Sequence, residues 1–307
     1  MSIDQVLLVA GTHGNEINAP WIFDQWSKKP SFIHKYKLKV LPVIGNPIAL
    51  KKCKRYIDRD LNRSFSSNLL DSLDVNDLEL ERARQLLKEF GPNGENPSQI
   101  AIDFHSTTAS MGSSLVVYGR RPADLALASL VQNRLGIPIY LHEADPFQKG
   151  FLVEAWPCGF VVEIGPVPQG ILNKKIIDQS LLVLDCCLRE IVNCRNSLAK
   201  FPSHLIVHRH LKNIDFPRDS FGRPSALIHP TLQGKDWHPI KGDHPLFLDL
   251  KGNVISFLEP LPNLEVVPVF INEAAYAEKN IAMGITSREI WTIKDNWKEA
   301  LFELVDI

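Results

Sequence analysis

Short apolar runs alternate with longer segments of helical periodicity over the first two-thirds of the chain. The runs are rich in β-branched residues, which is typical of strands that are covered on both faces of a sheet. They predict six strands, at residues 5–11, 38–45, 99–105, 113–119, 137–142 and 159–165. Apolar residues at helical spacing predict four helices between them, at residues 18–29, 78–91, 122–136 and 176–194. This alternation predicts an α/β fold with a mixed, mainly parallel sheet.

The pattern changes near residue 200. Beyond it, apolar segments such as 204–213 and 263–272 are separated by turns rich in proline and glycine, which predicts a smaller β-rich unit. Residues 286–307 then return to helical spacing. We therefore expect a first domain over residues 1–200 that carries the chemistry. A β-rich C-terminal domain over residues 201–307 would help to close the site.

Composition narrows the class of protein. The chain has 307 residues, 45% of them hydrophobic, and a net charge of −1, which is ordinary for a globular protein. The neutral charge gives no general attraction to nucleic acid or to an anionic membrane, so we expect neither as a partner. The five cysteines form no C-x-x-C pair, and no secretory signal or membrane-spanning run is evident. We therefore expect a cytoplasmic protein with free thiols.

Two of the predicted strands end in candidate metal ligands. The strand at 5–11 runs into the sequence GTHGNE, which places His13 and Glu16 three residues apart, and the strand at 99–105 ends in His105. Functional residues gather at the carboxyl ends of parallel strands, so these side chains should lie close together. Two imidazoles and a carboxylate are a common ligand set for catalytic zinc. Asp103 is placed to orient a ligand, whereas turn histidines with purely structural hydrogen bonds remain the alternative.

A basic segment follows at residues 51–65. Six of the thirteen residues from Lys51 to Arg63 are basic. A solvated face and a nucleic-acid patch are two explanations, but the neutral total charge and the lack of a second such stretch count against nucleic acid. Asn62 and Arg63 lie among apolar neighbours, and a guanidinium is the natural bidentate partner of a carboxylate. The segment therefore favours a small anionic substrate.

Glu163 stands at the end of an otherwise apolar predicted strand. Acidic residues are rarely buried without a partner or a chemical task. A carboxylate next to a metal-activated water can accept its proton and pass it to a leaving amine. A structural salt bridge explains the position equally well at this point.

Taken together, these motifs resemble those of the aspartoacylase and succinylglutamate desuccinylase family, distant relatives of the zinc carboxypeptidases. The resemblance runs over most of the chain and stops at about residue 284. The matching motifs are GTHGNE, the pair Asn46-Pro47, KKCKRYIDRDLNRSF, DFHSTTASMG, EIGPVPQG, DFPRD, IHPTLQGKDWHP and VFINEAAYAEK.

The resemblance implies a zinc-carboxypeptidase-like α/β/α sandwich and a zinc-dependent amidohydrolase. Its substrate would be a small anionic N-acyl amino acid, typically N-acetyl-L-aspartate, and one Zn²⁺ would be held per subunit. Members often self-associate, so a homo-oligomer is compatible with the resemblance, and no sequence feature decides it. The implied residues are His13, Glu16 and His105 as zinc ligands, Glu163 as general base and later acid, Arg55 at the scissile carbonyl and oxyanion, Asn62 and Arg63 at the substrate carboxylate, Tyr276 completing the pocket, and Glu273 supporting it, positioning an arginine.

One feature departs from the family. Aspartoacylases of the animal type carry a second substrate-binding arginine before the EIG strand, but residues 145–165 contain none, and Lys149 is the candidate replacement. An ammonium matches a carboxylate less well than a guanidinium fork. An aminoacylase acting on N-acetylated aromatic or cysteine-conjugate amino acids is therefore the alternative enzyme. A non-catalytic binding relative is the alternative outside enzymes, although no ligand or base is missing. A metallocarboxypeptidase is disfavoured, because the second domain restricts the site to small substrates.

Overall fold

A large mixed sheet organises the chain. The computed structural model describes residues 5–30, 36, 38–72, 77–143, 148–257 and 265–305, and these form a nine-stranded and a three-stranded sheet. The strands are β1 (Gln5–Ala10), β2 (Lys39–Ile44), β3 (Ile100–Ser106), β4 (Gly112–Tyr118), β5 (Ile139–His142), β6 (Cys158–Gly165), β7 (His204–Ile214), β8 (Leu227–Ile228), β9 (Pro245–Leu248), β10 (Val254–Ser256), β11 (Val266–Val269) and β12 (Met283–Thr292). The strands predicted before residue 200 are confirmed, with ends that differ by one or two residues.

The large sheet has the order β11-β12-β7-β5-β4-β6-β3-β1-β2. Strands β2, β1, β3 and β6 run parallel to one another, so their carboxyl ends share one edge. Strand β4 is antiparallel to β6, and β5 and β7 then run parallel to β4. The prediction of a mixed, mainly parallel sheet is confirmed.

The helices begin and end at recognisable signals. They are α1 (Asn18–Lys28), α2 (Pro47–Lys51), α3 (Ser67–Leu70), α4 (Leu78–Phe90), α5 (Pro122–Leu135), α6 (Lys174–Arg195) and α7 (Asp295–Val305). Asp77 caps α4 by accepting a hydrogen bond from the Leu80 N–H at 2.9 Å. Pro122 occupies the first turn of α5, and Gly136, at φ +67°, ends it in the left-handed conformation. The four helices predicted before residue 200 are confirmed.

Both faces of the sheet are covered. Along β1, Val6, Leu8 and Ala10 enter one hydrophobic core with residues of α1, α5, α6 and α7. Leu7 and Val9 enter a second core on the opposite face with residues of α4. The chain therefore forms the expected α/β/α sandwich, and the apolar character of β1 on both faces follows from this double burial.

The C-terminal region contributes to both sheets. Strands β8, β9 and β10 form the three-stranded sheet, which packs over a third core that also takes in β11 and β12. Strand β7 pairs parallel with β5, and β12 and β11 continue the large sheet outward from it. The division of the chain at residue 200 stays a prediction.

The tail is the part in which the expectation of a helix was wrong in its first half. Met283–Thr292 forms β12, because pairing with β7 on one side and β11 on the other satisfies its backbone and overrides local periodicity. Only Asp295–Val305 is helical, as α7. Trp297 and Leu301 of α7 enter the core that α5 and α6 share, so α7 packs on the same face of the large sheet as these two helices. Among the helices in the described ranges, none has the length and apolar character needed to span a bilayer.

Candidate active site

The three candidate metal ligands converge at the carboxyl edge of the sheet. His13 and Glu16 lie in the turn after β1, and His105 lies near the end of β3, the strand beside it. The Nδ1 atom of His13 is 2.7 Å from Glu16 Oε1 and 3.0 Å from Nδ1 of His105. His105 Nδ1 is in turn 3.1 Å from Glu16 Oε2. All three side chains are buried.

Each imidazole also meets a carboxylate through its other ring nitrogen. His13 Nε2 is 2.9 Å from Asp60 Oδ1, and His105 Nε2 is 2.7 Å from Asp103 Oδ2. Thr12 holds Asp103 in turn by donating its hydroxyl to Oδ1 at 2.8 Å. Both nitrogens of each ring face a carboxylate, so these contacts alone do not assign the tautomer; a proton on Nε2 of each ring leaves both Nδ1 atoms as metal donors. Carboxylate–histidine pairs of this kind accompany most metal-binding histidines.

This donor set fits a divalent metal. In that tautomer, two Nδ1 lone pairs and the Glu16 carboxylate meet, and they repel one another unless a proton or a metal cation lies between them. Their ligand atoms all lie within 4.8 Å of one another. Two imidazoles with one carboxylate are a ligand set of catalytic zinc, in which a fourth position stays open for water. His13, Glu16 and His105 are therefore the residues that would hold the ion.

A buried glutamate positions the segment that carries Asp60 and Arg55. Glu79 of α4 is fully buried and accepts hydrogen bonds from the backbone N–H groups of Ile57 at 2.7 Å and Asp58 at 2.9 Å. The Asn46 side chain donates to the same carboxylate at 2.8 Å. The turn between Arg55 and Asp60 is thus anchored to a helix, which gives the site a rigid support.

Arg55 lies between two of the site's carboxylates. Its Nη1 is 3.5 Å from Glu16 Oε1, and its Nη2 is 3.3 Å from Asp60 Oδ2. Burial alone would lower the pKa of Arg55, but Asp60 and Glu16 outweigh burial and raise it, so the guanidinium stays charged. Its Nε is buried and has no hydrogen-bond partner among the described residues. The side chain of Arg55 lines the cavity.

Glu163 faces the same cavity from β6. It is the register partner of His105 on β3, and paired residues of neighbouring parallel strands share a face. Its Oε2 is buried and accepts no hydrogen bond from any residue that the structure describes. Burial raises the pKa of Glu163 to about 8, although the nearby His105 opposes the shift. A carboxylate with an unpartnered oxygen in a cavity is well suited to exchange a proton with a ligand.

Asn62 and Arg63 line the same cavity. The Asn62 Oδ1 accepts a hydrogen bond from the Leu152 N–H at 2.8 Å. The side-chain amide nitrogen of Asn62 is therefore the atom that can donate to a ligand in the cavity. Arg63 is half-buried, and its guanidinium carbon lies 3.9 Å from the centre of the Phe151 ring. Both residues therefore present N–H donors, as a carboxylate site requires.

The C-terminal region closes the cavity through Tyr276, which lies in the helical turn Ala274–Lys279. Glu273 fixes this turn, because its Oε1 accepts from the Ala275 N–H at 3.0 Å. Its Oε2 accepts from the Thr108 N–H at 2.8 Å, the Ala109 N–H at 3.1 Å and the Thr107 hydroxyl. The expectation that Glu273 positions an arginine is not met by any hydrogen bond among the described residues. It ties the Tyr276 turn to the loop after His105 instead.

The expectation that Lys149 lines the site is not met. Lys149 is exposed and lies outside the cavity lining, whereas its neighbour Gln148 lies in the lining and accepts a hydrogen bond from Arg63. An ammonium on a flexible stem is readily hydrated, which favours its exposed position.

Sequence reasoning missed two parts of the site. One is Asp60, which lies within the basic segment, and its position five residues after Arg55 gives no signal of a contact with His13. The other part is an aromatic wall, which sequence alone does not separate from core residues of β4 and β5. Its members are Tyr118, Tyr140, His142, Phe151 and Phe270.

The fold and the site together define a class, a mainly parallel α/β sheet with a candidate metal site at its carboxyl edge. Residues 2–191 match the family model described as succinylglutamate desuccinylase/aspartoacylase catalytic domain. Residues 203–288 match the model described as AstE/AspA barrel-sandwich hybrid domain. The chain therefore belongs to the succinylglutamate desuccinylase/aspartoacylase family, whose relatives support hydrolysis of an amide bond.

Individual relatives agree with this assignment. The chain is 64% identical over 306 residues to a probable aspartoacylase of Prochlorococcus marinus strain SARG, with 100% of each chain covered. It is 55% identical to a probable aspartoacylase of Prochlorococcus marinus strain MIT 9313, again with 100% of each covered. Among solved structures, murine aminoacylase 3 matches with a TM-score of 0.86 and 29% identity, over 95% of this chain and 98% of that one.

Proposed function

We propose that this protein is a zinc-dependent amidohydrolase that deacylates N-acyl-L-aspartate, such as N-acetyl-L-aspartate, to L-aspartate and a carboxylate. The observation that carries the proposal is the convergence of the cluster His13, Glu16 and His105 with Arg55 and Glu163 in one cavity. The probable aspartoacylases to which the chain is similar support the same substrate.

The catalytic roles follow from the chemistry that amide hydrolysis needs. Zinc held by His13, Glu16 and His105 would lower the pKa of a water to about 7 and so supply a nucleophile. Glu163 takes a proton from the attacking water and returns it to the leaving nitrogen, since its Oε2 accepts no other described hydrogen bond. Arg55 donates to the oxygen of the scissile carbonyl, where negative charge develops.

Substrate binding follows from the N–H donors that Asn62 and Arg63 contribute to the cavity. Arg63 and the amide nitrogen of Asn62 hold a carboxylate of the substrate, and Tyr276 closes the cavity from the C-terminal region. Since Glu16, Glu163 and Glu273 also line the cavity, the arginines are needed to make it attractive to an anion.

A second candidate is favoured by a specific observation. Of the arginines in the described lining, Arg55 is assigned to the carbonyl oxygen, which leaves Arg63 for a carboxylate. The wall around it carries Tyr118, Tyr140 and Phe151 in place of a second guanidinium. An N-acyl amino acid with an aromatic side chain fits such a wall, because stacked rings gain about 0.5–1.5 kcal/mol beyond their buried area. An aminoacylase for N-acetylated aromatic or cysteine-conjugate amino acids is therefore the alternative.

The test is a comparison of substrates. Purified protein loaded with zinc is given N-acetyl-L-aspartate and N-acetyl-L-phenylalanine, and release of the free amino acid is measured for both. A higher kcat/KM for N-acetyl-L-aspartate supports the leading proposal, and the reverse order replaces it with the alternative. Absence of turnover on either compound, with metal content verified, would refute both.

We further propose that the enzyme works in the cytoplasm. All five cysteines are free thiols, and four of them are buried. Unpaired cysteines are the ordinary condition of a reducing compartment.

A further inference from the structure

The guanidinium of Arg63 is held on two sides before any substrate arrives. Its Nη2 donates to Gln148 Oε1 at 2.7 Å, and its Nη1 donates to the backbone carbonyl of Asn62 at 2.7 Å. The Phe151 ring lies against its face, 3.9 Å from the guanidinium carbon. A guanidinium has five N–H donors in one plane. These contacts therefore define the plane and leave three donors that no described residue engages.

The segment that carries Gln148 and Phe151 is fastened to the segment that carries Arg63. The Phe65 N–H donates to the Gly150 carbonyl at 3.1 Å, and the Leu152 N–H donates to Asn62 Oδ1 at 2.8 Å. Gly150 has φ +77°, and a Cβ there would lie 2.9 Å from the Arg63 carbonyl oxygen. Only glycine allows this close approach, so the two segments form one rigid unit.

We propose that Gln148 is a positioning and specificity-determining residue, which aims the Arg63 guanidinium at a substrate carboxylate without placing a further negative charge beside it. The inference rests on the proposed function, because it assigns a carboxylate substrate to the same cavity. Binding sites lose affinity when a side chain must be ordered at the moment of association. The hydrogen bond from Arg63 to Gln148 removes that loss in advance.

The neutrality of Gln148 is as important as its geometry. A carboxylate at this position would accept the same hydrogen bond, but it would also form an ion pair with the guanidinium. The substrate carboxylate would then compete with a permanent anion and be repelled by it. A neutral acceptor is thus the side chain that orients Arg63 without reducing its attraction for an anion.

The test uses two substitutions that separate geometry from charge. Gln148→Met keeps the length of the side chain but removes the acceptor, and Gln148→Glu keeps the acceptor but adds a charge. Gln85→Glu is the matched control, because Gln85 also accepts a hydrogen bond from an arginine, Arg82, at 3.4 Å, on the exposed surface of α4. For each protein, kcat and KM are measured on the better of N-acetyl-L-aspartate and N-acetyl-L-phenylalanine.

Calorimetric binding of both compounds is measured in parallel on zinc-loaded protein that also carries Glu163→Gln. We expect Gln148→Met to raise Kd and KM about three- to tenfold, the range of one hydrogen bond, with kcat within about twofold of the parent. Gln148→Glu should raise them further, and Gln85→Glu should leave them unchanged.

Three results would overturn the proposal. The first is an unchanged Kd in both Gln148 variants, and the second is a parent that binds neither compound. The third is a parallel fall of kcat and melting temperature in the Gln148 variants, which would mean that Gln148 only stabilises its segment. Failure of the proposed function has a different signature, since protein with Glu163 intact would then show no turnover while binding still responded to Gln148.

Discussion

Asp60 connects a candidate metal ligand to the candidate oxyanion arginine, and its replacement by asparagine separates these two contacts. Asp60 Oδ1 accepts from His13 Nε2 at 2.9 Å and from the Asn62 N–H at 2.9 Å, while Oδ2 is 3.3 Å from Arg55 Nη2. Asparagine has one acceptor oxygen and one donor amide. The oxygen should remain where two donors meet, which places the amide hydrogens against Arg55.

The expected decrease in kcat/KM follows from the loss of the contact between Arg55 and the Asp60 carboxylate. Removing an oxyanion donor altogether lowers kcat by about 10²–10³. In Asp60→Asn the guanidinium is still present but loses one of its two anchoring carboxylates, so we expect kcat/KM to fall about ten- to hundredfold, which is about 1.4–2.7 kcal/mol. The hydrogen bond to His13 is kept, so the affinity for metal should change by less than about threefold, below the 10–100-fold range typical of a lost outer partner.

The assay compares Asp60→Asn with Asp103→Ala. Asp103 contacts His105 and Thr12, and no hydrogen bond joins it to Arg55 among the described residues, so removal of its carboxylate should lower metal affinity about tenfold and keep turnover when the protein is fully loaded. Metal affinity is measured by competition with a chelator, and kcat/KM is measured at saturating zinc. The reasoning is refuted if Asp60→Asn has the parent kcat/KM when loaded, or if the two variants behave alike.

Three further predictions concern other parts of the molecule. Glu163→Gln should keep its metal and lower kcat about 10²–10⁴-fold, because only proton transfer is removed; elemental analysis and initial rates check this, and metal loss would contradict it. Glu273→Gln should lower the melting temperature by about 2–4 °C and raise KM, because an amide cannot accept every donor around Oε2; an unchanged melt and KM would count against the link to Tyr276. Burial lowers the pKa of His208 to about 4, below its ordinary value of 6.5, so the unfolded chain binds the proton more tightly than the folded one. Stability should therefore fall as the pH drops from about 6.5 to about 4, by up to about 3 kcal/mol, and His208→Asn should remove this part; equal urea-unfolding slopes against pH in both proteins would refute it.

The strands and helices before residue 200 could be predicted closely because each of them carries a consistent local signal. β1 is apolar on both faces, and α5 begins at Pro122 and ends at Gly136, so pattern and structure agree. Residues 286–292, which carry helical spacing but lie in β12, have no such agreement. Two neighbouring strands provide the hydrogen bonds of β12, and this long-range pairing cannot be recognised in one sequence.

The candidate site was likewise predictable only in part from the sequence. The clustering of His13, Glu16 and His105 could be predicted because parallel strands deliver their carboxyl ends to one edge. The contact of Asp60 with His13 spans forty-seven residues and depends on a turn anchored by Glu79, so no local sequence pattern predicts it. Likewise, the sequence does not show that Gln148, and not Lys149, contacts Arg63. That contact depends on the close approach of Gly150 to the backbone of Arg63.

The most direct test of the central claim is removal and return of the metal during turnover. Protein is treated with a chelator, its metal content is measured, and release of L-aspartate from N-acetyl-L-aspartate is followed as Zn²⁺ is added back. The account predicts that turnover disappears with the metal and returns in proportion to added zinc, reaching a plateau at one ion per chain. Full turnover by protein shown to be free of metal would contradict it.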